Sequence, residues 1–245
     1  MLSAIINAYY SAKRQLITNQ VPIINIIPGI VLNKEKVPNT SHKALKQCLR
    51  LAIEDLNNPK IDNRLAAIYD LELLARDYPE HHWKIMEILT NFVRNHTLSV
   101  SQEEVKSQPS ITICTDIQLA LTVLGRRDVR QDMEEQLDLS HTNLGKANLN
   151  QANLELANLY QVNLSGANLS GANLSGAILS AANLFEANLS GANLSGAILS
   201  AANLSGANLC GANLHRASLY LTNLHQANLN DAILDGANLR EAKFS

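Results

Sequence analysis

Leucine recurs at every fifth residue throughout the C-terminal part of the chain. From Leu137 to Ser245 there are 22 consecutive five-residue units with no insertion between them. The central residue is leucine in 21 units and Phe244 in the last, and the residue two places before the centre is alanine in 18. The residue just before the centre is asparagine in 16 units. This uninterrupted period of five constrains the fold more strongly than any other feature of the sequence.

Neither a regular α-helix nor a flat β-strand buries residues that recur with this period. Five residues of α-helix rotate by about 500°, so the leucines would spread over every side of the helix. Along a β-strand they would point to opposite faces in turn. A square coil solves the problem, because alanine and leucine can both face inward from one short extended segment before the chain turns through a right angle. Four units close one coil, and leucines twenty residues apart stack about 4.8 Å from one another.

Glycine is placed where such a coil has to turn. It occupies the position two places after the centre in eight units, for example at Gly166 and Gly236. Glycine adopts a positive φ angle without the steric clash that a side chain brings. The glycines therefore fit the turns that such a coil requires.

The motif ANLSG/ANLSG/AILSA/ANLFE resembles the pentapeptide-repeat family. The resemblance implies a right-handed quadrilateral β-helix, here of about 5.5 coils and about 26 Å in length. The segment from Arg64 to Arg94 is similar to a helical region that precedes the repeats in many bacterial relatives, and such proteins are numerous in cyanobacteria. The expected fold class is α+β, with an α-helical capping domain over residues 1–136 and the β-helix over residues 137–245.

Helical periodicity and capping signals organise the first domain. Helices are predicted over residues 2–16, from the N-cap Ser41, from the N-cap Asp62, from Pro79, and from Thr115 or Asp116 to a C-cap at Gly125. Residues 18–40 contain three prolines and are expected to be irregular. The domain boundary is placed in the charged run from Arg126 to Gln136.

Composition argues against several classes of protein. The formal net charge is -2, and the repeat region carries four basic and six acidic residues, which does not favour binding to nucleic acid. The most apolar segment, Val21 to Leu32, has 12 residues, whereas a membrane span needs about 20. Cys48, Cys114 and Cys210 lie far apart, as in a protein of a reducing compartment such as the cytoplasm. We therefore expect neither a membrane span nor a cofactor.

No arrangement of catalytic or metal-ligating residues is apparent. His81 and His82 lack an HExxH spacing. His215 and His225 lie on opposite sides of the coil, and His215 stacks on Asp235 as a surface contact of small energetic value. Cys210 occupies an outward turn position, with no neighbour in the repeat that would activate its thiol. We expect the chain not to be an enzyme.

An apolar stripe is predicted on one outer face, which otherwise consists of serine, asparagine and glycine. Isoleucine replaces asparagine twice on this face, aromatic residues lie one coil to either side, and Phe185 lies on the adjacent face. The residues proposed for partner binding are Tyr160, Ile178, Phe185, Ile198, Tyr220 and Leu221. Three explanations remain open. The stripe binds a partner, packs against residues 18–40 of its own chain, or records the duplication of residues 171–190 as 191–210.

The hypothesis favoured by the sequence is a non-enzymatic scaffold or regulator that binds an unknown protein partner. The alternative implied by the resemblance is a DNA mimic that acts on DNA gyrase. It is disfavoured by the weak negative charge and by the absence of the C-terminal dimerisation helix found in known mimics. The last coil is expected to be exposed, or covered by a second copy in an end-to-end homodimer, with Phe244 plugging the end.

Overall fold

The structure, a computed structural model, describes residues 38–97, 113–131 and 135–244. Within these residues, four α-helices precede the repeats: α1 (Pro38–Leu56), α2 (Ile61–Asp77), α3 (His82–Thr97) and α4 (Thr115–Leu124). Short 3₁₀ helices cover Pro79–His81 and Val129–Gln131. The helical region expected before the repeats is therefore present.

The observed helix starts differ in detail from the predicted ones. α1 begins at Pro38, three residues before the predicted cap, so residues 38–40 are helical and not irregular. α2 begins at Ile61, which places Asp62 in its first turn. Pro79 begins a 3₁₀ turn that leads into α3. The predicted helix over residues 2–16 and the rest of the segment 18–40 lie outside the described residues.

Gly125 follows α4 as predicted, but for a different physical reason. Its φ angle is -70°, so it does not form a left-handed cap. A Cβ atom at this position would lie 2.8 Å from the Cβ atom of Ala152, which is too close for a side chain. Glycine is therefore required because α4 ends directly against the first coil of the repeat region.

The chain divides into two compact units, one ending at Leu71 and the other beginning at Glu72. The second unit includes α3, α4 and the repeats. In α3, Ile85, Leu89 and Val93 are buried at helical spacing, and α3 packs against α4. The division between residues 136 and 137 into separate domains stays a prediction.

In the repeat region, residues twenty apart are joined by parallel β-bridges. The bridges run from Asp138↔Asn158 to Asn223↔Lys243, each formed by the residue just before a central position. Four five-residue units therefore make one coil with four walls. We name the walls by their first central residues: wall A from Leu139, wall B from Leu144, wall C from Leu149 and wall D from Leu154.

The interior of the coils is filled as the period predicts. All 18 central leucines from Leu139 to Leu224 are buried, with exposed fractions of 0–2%. Thr142 and Thr222 replace alanine in the interior without leaving a polar group unpaired. Their hydroxyls donate to the backbone oxygens of Leu139 and Leu199, at 2.6 and 2.8 Å.

Every turn between walls has a residue with positive φ. These residues recur at every fifth position from His141 to Glu241. Eight are glycines and 13 are not, so the left-handed turn persists where the sequence does not supply the favoured residue. A left-handed backbone costs a non-glycine residue about 1–2 kcal/mol. The turns expected at the glycine positions are present, and the same geometry in the other units is maintained by bridges and packing.

The first coil has hydrogen-bond partners from the helical region on all four walls. On wall A, Arg94 donates to the backbone oxygens of Asp138 and Ser140 and forms a 2.9 Å ion pair with Asp138. On wall B, the N–H of Asn143 donates to the backbone oxygen of Thr97 at 2.6 Å. These bonds replace the ones that a preceding coil would provide.

On walls C and D, hydrogen bonds from the helical region also take the place of those that a preceding coil would make. The side chain of Gln118 both accepts from the backbone N–H of Asn148 and donates to its backbone oxygen, at 2.9 and 2.7 Å. On wall D, the N–H of Asn153 donates to the backbone oxygen of Gly125 at 2.7 Å. The buried Arg127 donates to the backbone oxygens of Asn153 and Glu155. The helical region thus closes the β-bridge edge that would otherwise be left open.

The last coil is less buried than the earlier ones. Leu229, Leu234 and Leu239 are only partly buried, and Phe244 is 51% exposed. The last coil is therefore exposed, as expected from the sequence, and its central residues are less buried than those of the preceding coils. The suggestion that Phe244 plugs this end stays a prediction, because its side chain is 51% exposed and the remainder is covered.

Candidate interaction surface

Asparagine side chains form hydrogen-bonded ladders along walls B, C and D. On wall B, each amide donates to the asparagine twenty residues earlier, from Asn223 back to Asn143, at 2.8–3.2 Å. Each ladder oxygen also accepts the N–H two residues later, as Asn163 does from Ser165 at 3.1 Å. The outer surfaces of these walls are therefore built around polar groups that already have partners.

Wall A is different because its ladder is interrupted. Asn158 donates to Asp138 at 2.9 Å, but the next two positions in this column are Ile178 and Ile198. Neither side chain carries an amide, so neither can continue the ladder. The last two residues of this column are Ser218 and Asn238. The hydroxyl of Ser218 lies 3.0 Å from that of Ser200. Wall A thus has an apolar centre where the other walls have amides.

The structure places five of the six predicted site residues on wall A and its edge. Tyr160 is 39% exposed, Ile198 41% and Leu221 41%, while Ile178 and Tyr220 are partly buried. We call this group, Tyr160, Ile178, Ile198, Tyr220 and Leu221, the wall A stripe. Its members lie in three neighbouring columns on successive coils.

Phe185 does not belong to this group. It occupies the position after the central Leu184 on wall B and is exposed, with Glu186 at the turn that follows. In the sequence, Asn183 of wall B lies between Phe185 and the turn that ends wall A. The sequence prediction that Phe185 lies on the adjacent face is therefore correct, and the residue extends the stripe only weakly.

Leu156 is an exposed apolar residue that the sequence reasoning missed. It lies at the turn that enters wall A and is 54% exposed. Its side chain extends over Gly176 in the next coil, where an added Cβ would meet the Cδ2 atom of Leu156 at 2.7 Å. The signal was available, because leucine stands here at a turn position that is usually glycine or a polar residue.

Tyr160 makes an aromatic contact with His141 in the part of the chain that the structure describes. Its ring lies edge-on to that of His141, with 5.3 Å between the ring centroids. His141 is the turn residue that follows wall A in the preceding coil. The contact orients the tyrosine ring along the wall, which leaves part of its surface accessible.

The candidate reactive groups do not form a catalytic arrangement in the described residues. Over residues 38–97, 113–131 and 135–244, no three His, Cys, Asp or Glu side chains come together as a metal site. In the same part of the chain, no hydrogen bond or ion pair joins His215 to Asp235, and Cys210 is a free, partly buried thiol. No helix among the described residues is long and apolar enough to cross a membrane.

Among the described residues, Arg76 and Arg130 have a raised pKa, and neither shift prepares acid–base chemistry. A hydrogen bond to Asp77 raises the pKa of Arg76, and a hydrogen bond to Asp128 raises that of Arg130. Arginine is protonated at neutral pH in any case. These shifts reflect local ion pairs near the surface.

The fold and its outer surface define a β-solenoid, a stack of coils that presents flat walls to solvent. The family model for pentapeptide repeats, described as eight copies, matches residues 138–176, 177–216 and 217–245. Residues 138–245 are therefore a pentapeptide-repeat region, and the resemblance seen in the sequence is confirmed. Pentapeptide-repeat proteins form right-handed β-helices, in agreement with the expected fold class.

Solved structures of pentapeptide-repeat proteins resemble this region in sequence. The protein alr5209 from Nostoc Pcc 7120 is 47% identical, over 31% of this chain and 62% of its own length, with a TM-score of 0.30. Rfr23 from the cyanobacterium Cyanothece 51142 is 41% identical, over 40% of this chain and 65% of its own, with a TM-score of 0.29. The chain thus spans less than two thirds of the length of either protein.

A third relative carries a description of its biological role. HetL, from Nostoc sp. strain PCC 7120, is described as involved in the regulation of heterocyst differentiation. It is 28% identical, over 44% of this chain and 77% of its own length, with a TM-score of 0.19. No curated protein matches the chain.

Proposed function

We propose that the repeat region is a non-enzymatic scaffold for protein–protein interaction and that the wall A stripe is its contact surface. The observation that carries the proposal is the replacement of two successive ladder asparagines, by Ile178 and Ile198, at the centre of wall A. The expected scaffold is a stack of about 5.5 coils, 4.8 Å apart, in a reducing compartment such as the cytoplasm. It needs no cofactor and carries out no chemistry.

The chemistry of the stripe supports this role. Aromatic and aliphatic side chains with few neighbouring charges are typical of the centre of a protein interface. Ile198 and Tyr160 expose apolar surface, which a partner can cover with little desolvation cost. On the other walls, a partner would have to cover amides that are already paired with one another. Wall A is therefore the surface on which burial gives the largest hydrophobic gain.

Duplication alone does not account for the stripe. Residues 171–190 and 191–210 are near copies, which explains why isoleucine occurs at both 178 and 198. Tyr160 and Tyr220 lie outside the copied segments, yet they occupy the same column one coil before and one coil after. The two tyrosines on either side of the isoleucines therefore favour a functional surface over a by-product of the duplication. Packing against residues 18–37, which lie outside the described residues, stays an alternative prediction.

A DNA mimic that acts on gyrase is the less well supported function. Such a mimic has to present a strongly negative surface. The repeat region carries four basic and six acidic residues, which leaves a net charge of -2 on 109 residues. A supercoiling assay tests this alternative, since inhibition of gyrase by a modest excess of the protein would favour the mimic over the scaffold.

A second partner surface is proposed at the last coil. Leu229, Leu234 and Leu239 are partly exposed there, and Phe244 is half exposed. A second copy stacked end to end would cover these side chains. In that case Phe244→Asp should abolish self-association while leaving the contacts made by wall A unchanged.

The scaffold is tested by affinity capture from the native cell with matched variants. Ile198→Asn restores the usual ladder residue, and should therefore fold well while removing the centre of the stripe. Ile233→Asn makes the same change at the same repeat position on wall D, where the isoleucine is also exposed. We expect a partner that is lost with Ile198→Asn and kept with Ile233→Asn. Identical protein profiles for all three forms would contradict a role for the stripe.

A further inference from the structure

We propose that a second copy of this chain binds to wall A, lying antiparallel against it. The inference rests on the proposed function, because it names the partner of the same stripe. It is separate from end-to-end stacking, which would use the last coil. It follows from the order of the side chains along the wall.

Four of the five stripe residues read the same from both ends of the wall, and Leu221 is the exception, because Gln161 occupies its counterpart position. On four successive coils of wall A, the largest outward residue beside the central leucine is tyrosine, isoleucine, isoleucine and tyrosine in turn. The bridges Asn158↔Ile178, Ile178↔Ile198 and Ile198↔Ser218 fix these coils as equally spaced neighbours. Tyr160 and Tyr220 share the column just after the central leucines, and Ile178 and Ile198 share the column just before them. Such an order is self-complementary.

A two-fold axis in the plane of contact uses this order fully. If the axis lies perpendicular to the stack, midway between the coils of Ile178 and Ile198, it places Ile178 opposite the partner's Ile198. The same operation places Tyr160 opposite the partner's Tyr220. Each contact then occurs twice, as in any isologous dimer. The α3 and α4 helices of the two copies then lie at opposite ends of the pair.

The parallel alternative does not place apolar side chains opposite one another. An axis along the stack would place Tyr160 opposite the partner's Asn158. It would also place Ile178 opposite the partner's Ser180. Apolar side chains would then cover amide and hydroxyl groups, which loses hydration without gaining hydrophobic contact. The antiparallel arrangement is the one that buries apolar surface against apolar surface.

The charged residues at the two ends of wall A are also compatible with the antiparallel arrangement. His141 in the first coil comes opposite the partner's Glu241, and Ser140 opposite the partner's Arg240. Asp138, which is paired with Arg94 in its own chain, comes opposite the partner's Asn238. No two like charges are brought face to face, so the wall contains no electrostatic barrier to self-pairing.

The size of the wall sets the strength of this association. Wall A spans six coils, from Leu139 to Leu239, spaced about 4.8 Å apart. One such wall buries less than the about 1,600 Å² of a standard stable interface. We therefore expect a weak dimer, with a dissociation constant in the micromolar range or higher. Its population should depend visibly on protein concentration.

The arrangement is tested by cross-linking the two tyrosine positions. Tyr160 and Tyr220 are changed to cysteine together in a chain whose Cys48, Cys114 and Cys210 are serine. Within one chain the two positions are three coils, or about 14 Å, apart, so the cross-linker is a bis-maleimide too short to join them. In the antiparallel dimer they face each other across walls about 10 Å apart. We expect a covalent dimer from the double variant, and much less from Tyr160→Cys alone.

Sedimentation of the full chain over a range of concentrations separates the outcomes. We expect Ile198→Asn to weaken association at least tenfold and Ile233→Asn to leave it unchanged. Association that survives Ile198→Asn but is lost with Phe244→Asp would overturn the inference in favour of end-to-end stacking. A chain that stays monomeric at every concentration would also overturn it. The proposed function would then still be judged by whether Ile198→Asn loses a different protein in the capture experiment.

Discussion

The first and last coils of the repeat region have the same repeat chemistry but different surroundings. The central residues Leu139, Leu144, Leu149 and Leu154 are almost fully buried, whereas Leu229, Leu234 and Leu239 are only partly buried. The side chains are the same in both sets. The burial of a repeat is therefore decided by what lies on each side of it, as expected for a structure in which each unit contacts only its neighbours.

The backbone shows the same contrast. In the first coil, backbone groups at the edge of the stack form hydrogen bonds with residues that precede the repeats, namely Arg94, Thr97, Gln118, Gly125 and Arg127. In the last coil, the N–H groups of Leu229, Leu234 and Leu239 have no backbone acceptor among the described residues. One end is thus a closed β-bridge edge and the other an open one. Substitutions placed in pairs at the two ends can test this difference.

The largest effect is expected from the central leucines. Leu144→Ala should lower the free energy of unfolding by about 3 kcal/mol, because it leaves a cavity among fully buried neighbours. Leu239→Ala should lower it by about 1 kcal/mol or less, since this side chain is already partly exposed. Urea denaturation followed by circular dichroism measures both. Equal losses would mean that the two ends are equally well packed.

A smaller effect is expected from the capping arginine. Arg127→Ala should lower the free energy of unfolding by about 2 kcal/mol, because it removes charged hydrogen bonds to the buried edge of wall D. The matched change, Arg240→Ala in the last coil, should alter it by about 0.5 kcal/mol or less, as for other exposed ion pairs. The comparison is made by thermal and urea unfolding of both variants. A neutral Arg127→Ala would show that the helical region does not stabilise the first coil through this residue.

The smallest effect is expected from the asparagine ladder. Asn188 donates to Asn168 and accepts from both Asn208 and the N–H of Ser190, so Asn188→Ala should cost about 1 kcal/mol. Asn228 in the last coil accepts from one N–H and donates to one amide, and is exposed. Asn228→Ala should therefore cost roughly half as much. Hydrogen exchange of the Ser190 and Asn230 amides reports the loss locally, and the opposite order would contradict the ladder as a source of stability.

The sequence was sufficient to predict the repeat region because its signal is local and repeated. Each leucine of the period is buried for the same reason, so one argument covers Leu139 to Leu224. The stripe could be predicted as well, since Ile178 and Ile198 break a pattern that the neighbouring units establish. The outward positions follow from the same alternation that defines the interior.

The contacts of the helical region could not be predicted in this way. Arg127 lies in a charged run that was interpreted as the domain boundary, yet it is buried against wall D. Gln118 lies on the surface of α4, and its role depends on how that helix approaches Asn148. Each of these outcomes depends on the approach of distant segments, which no local pattern specifies.

The twenty-residue spacing of the bridges also limits how such a chain can change its length during evolution. Duplication of one whole coil, as in residues 171–190 and 191–210, keeps every column in place. Insertion of a single five-residue unit would preserve the interior equally well, but it would rotate everything that follows by a quarter turn. Inserted between Leu204 and Leu209, it would carry Tyr220 from wall A to wall B. A family of such proteins can therefore keep its fold while rearranging which residues meet on one side.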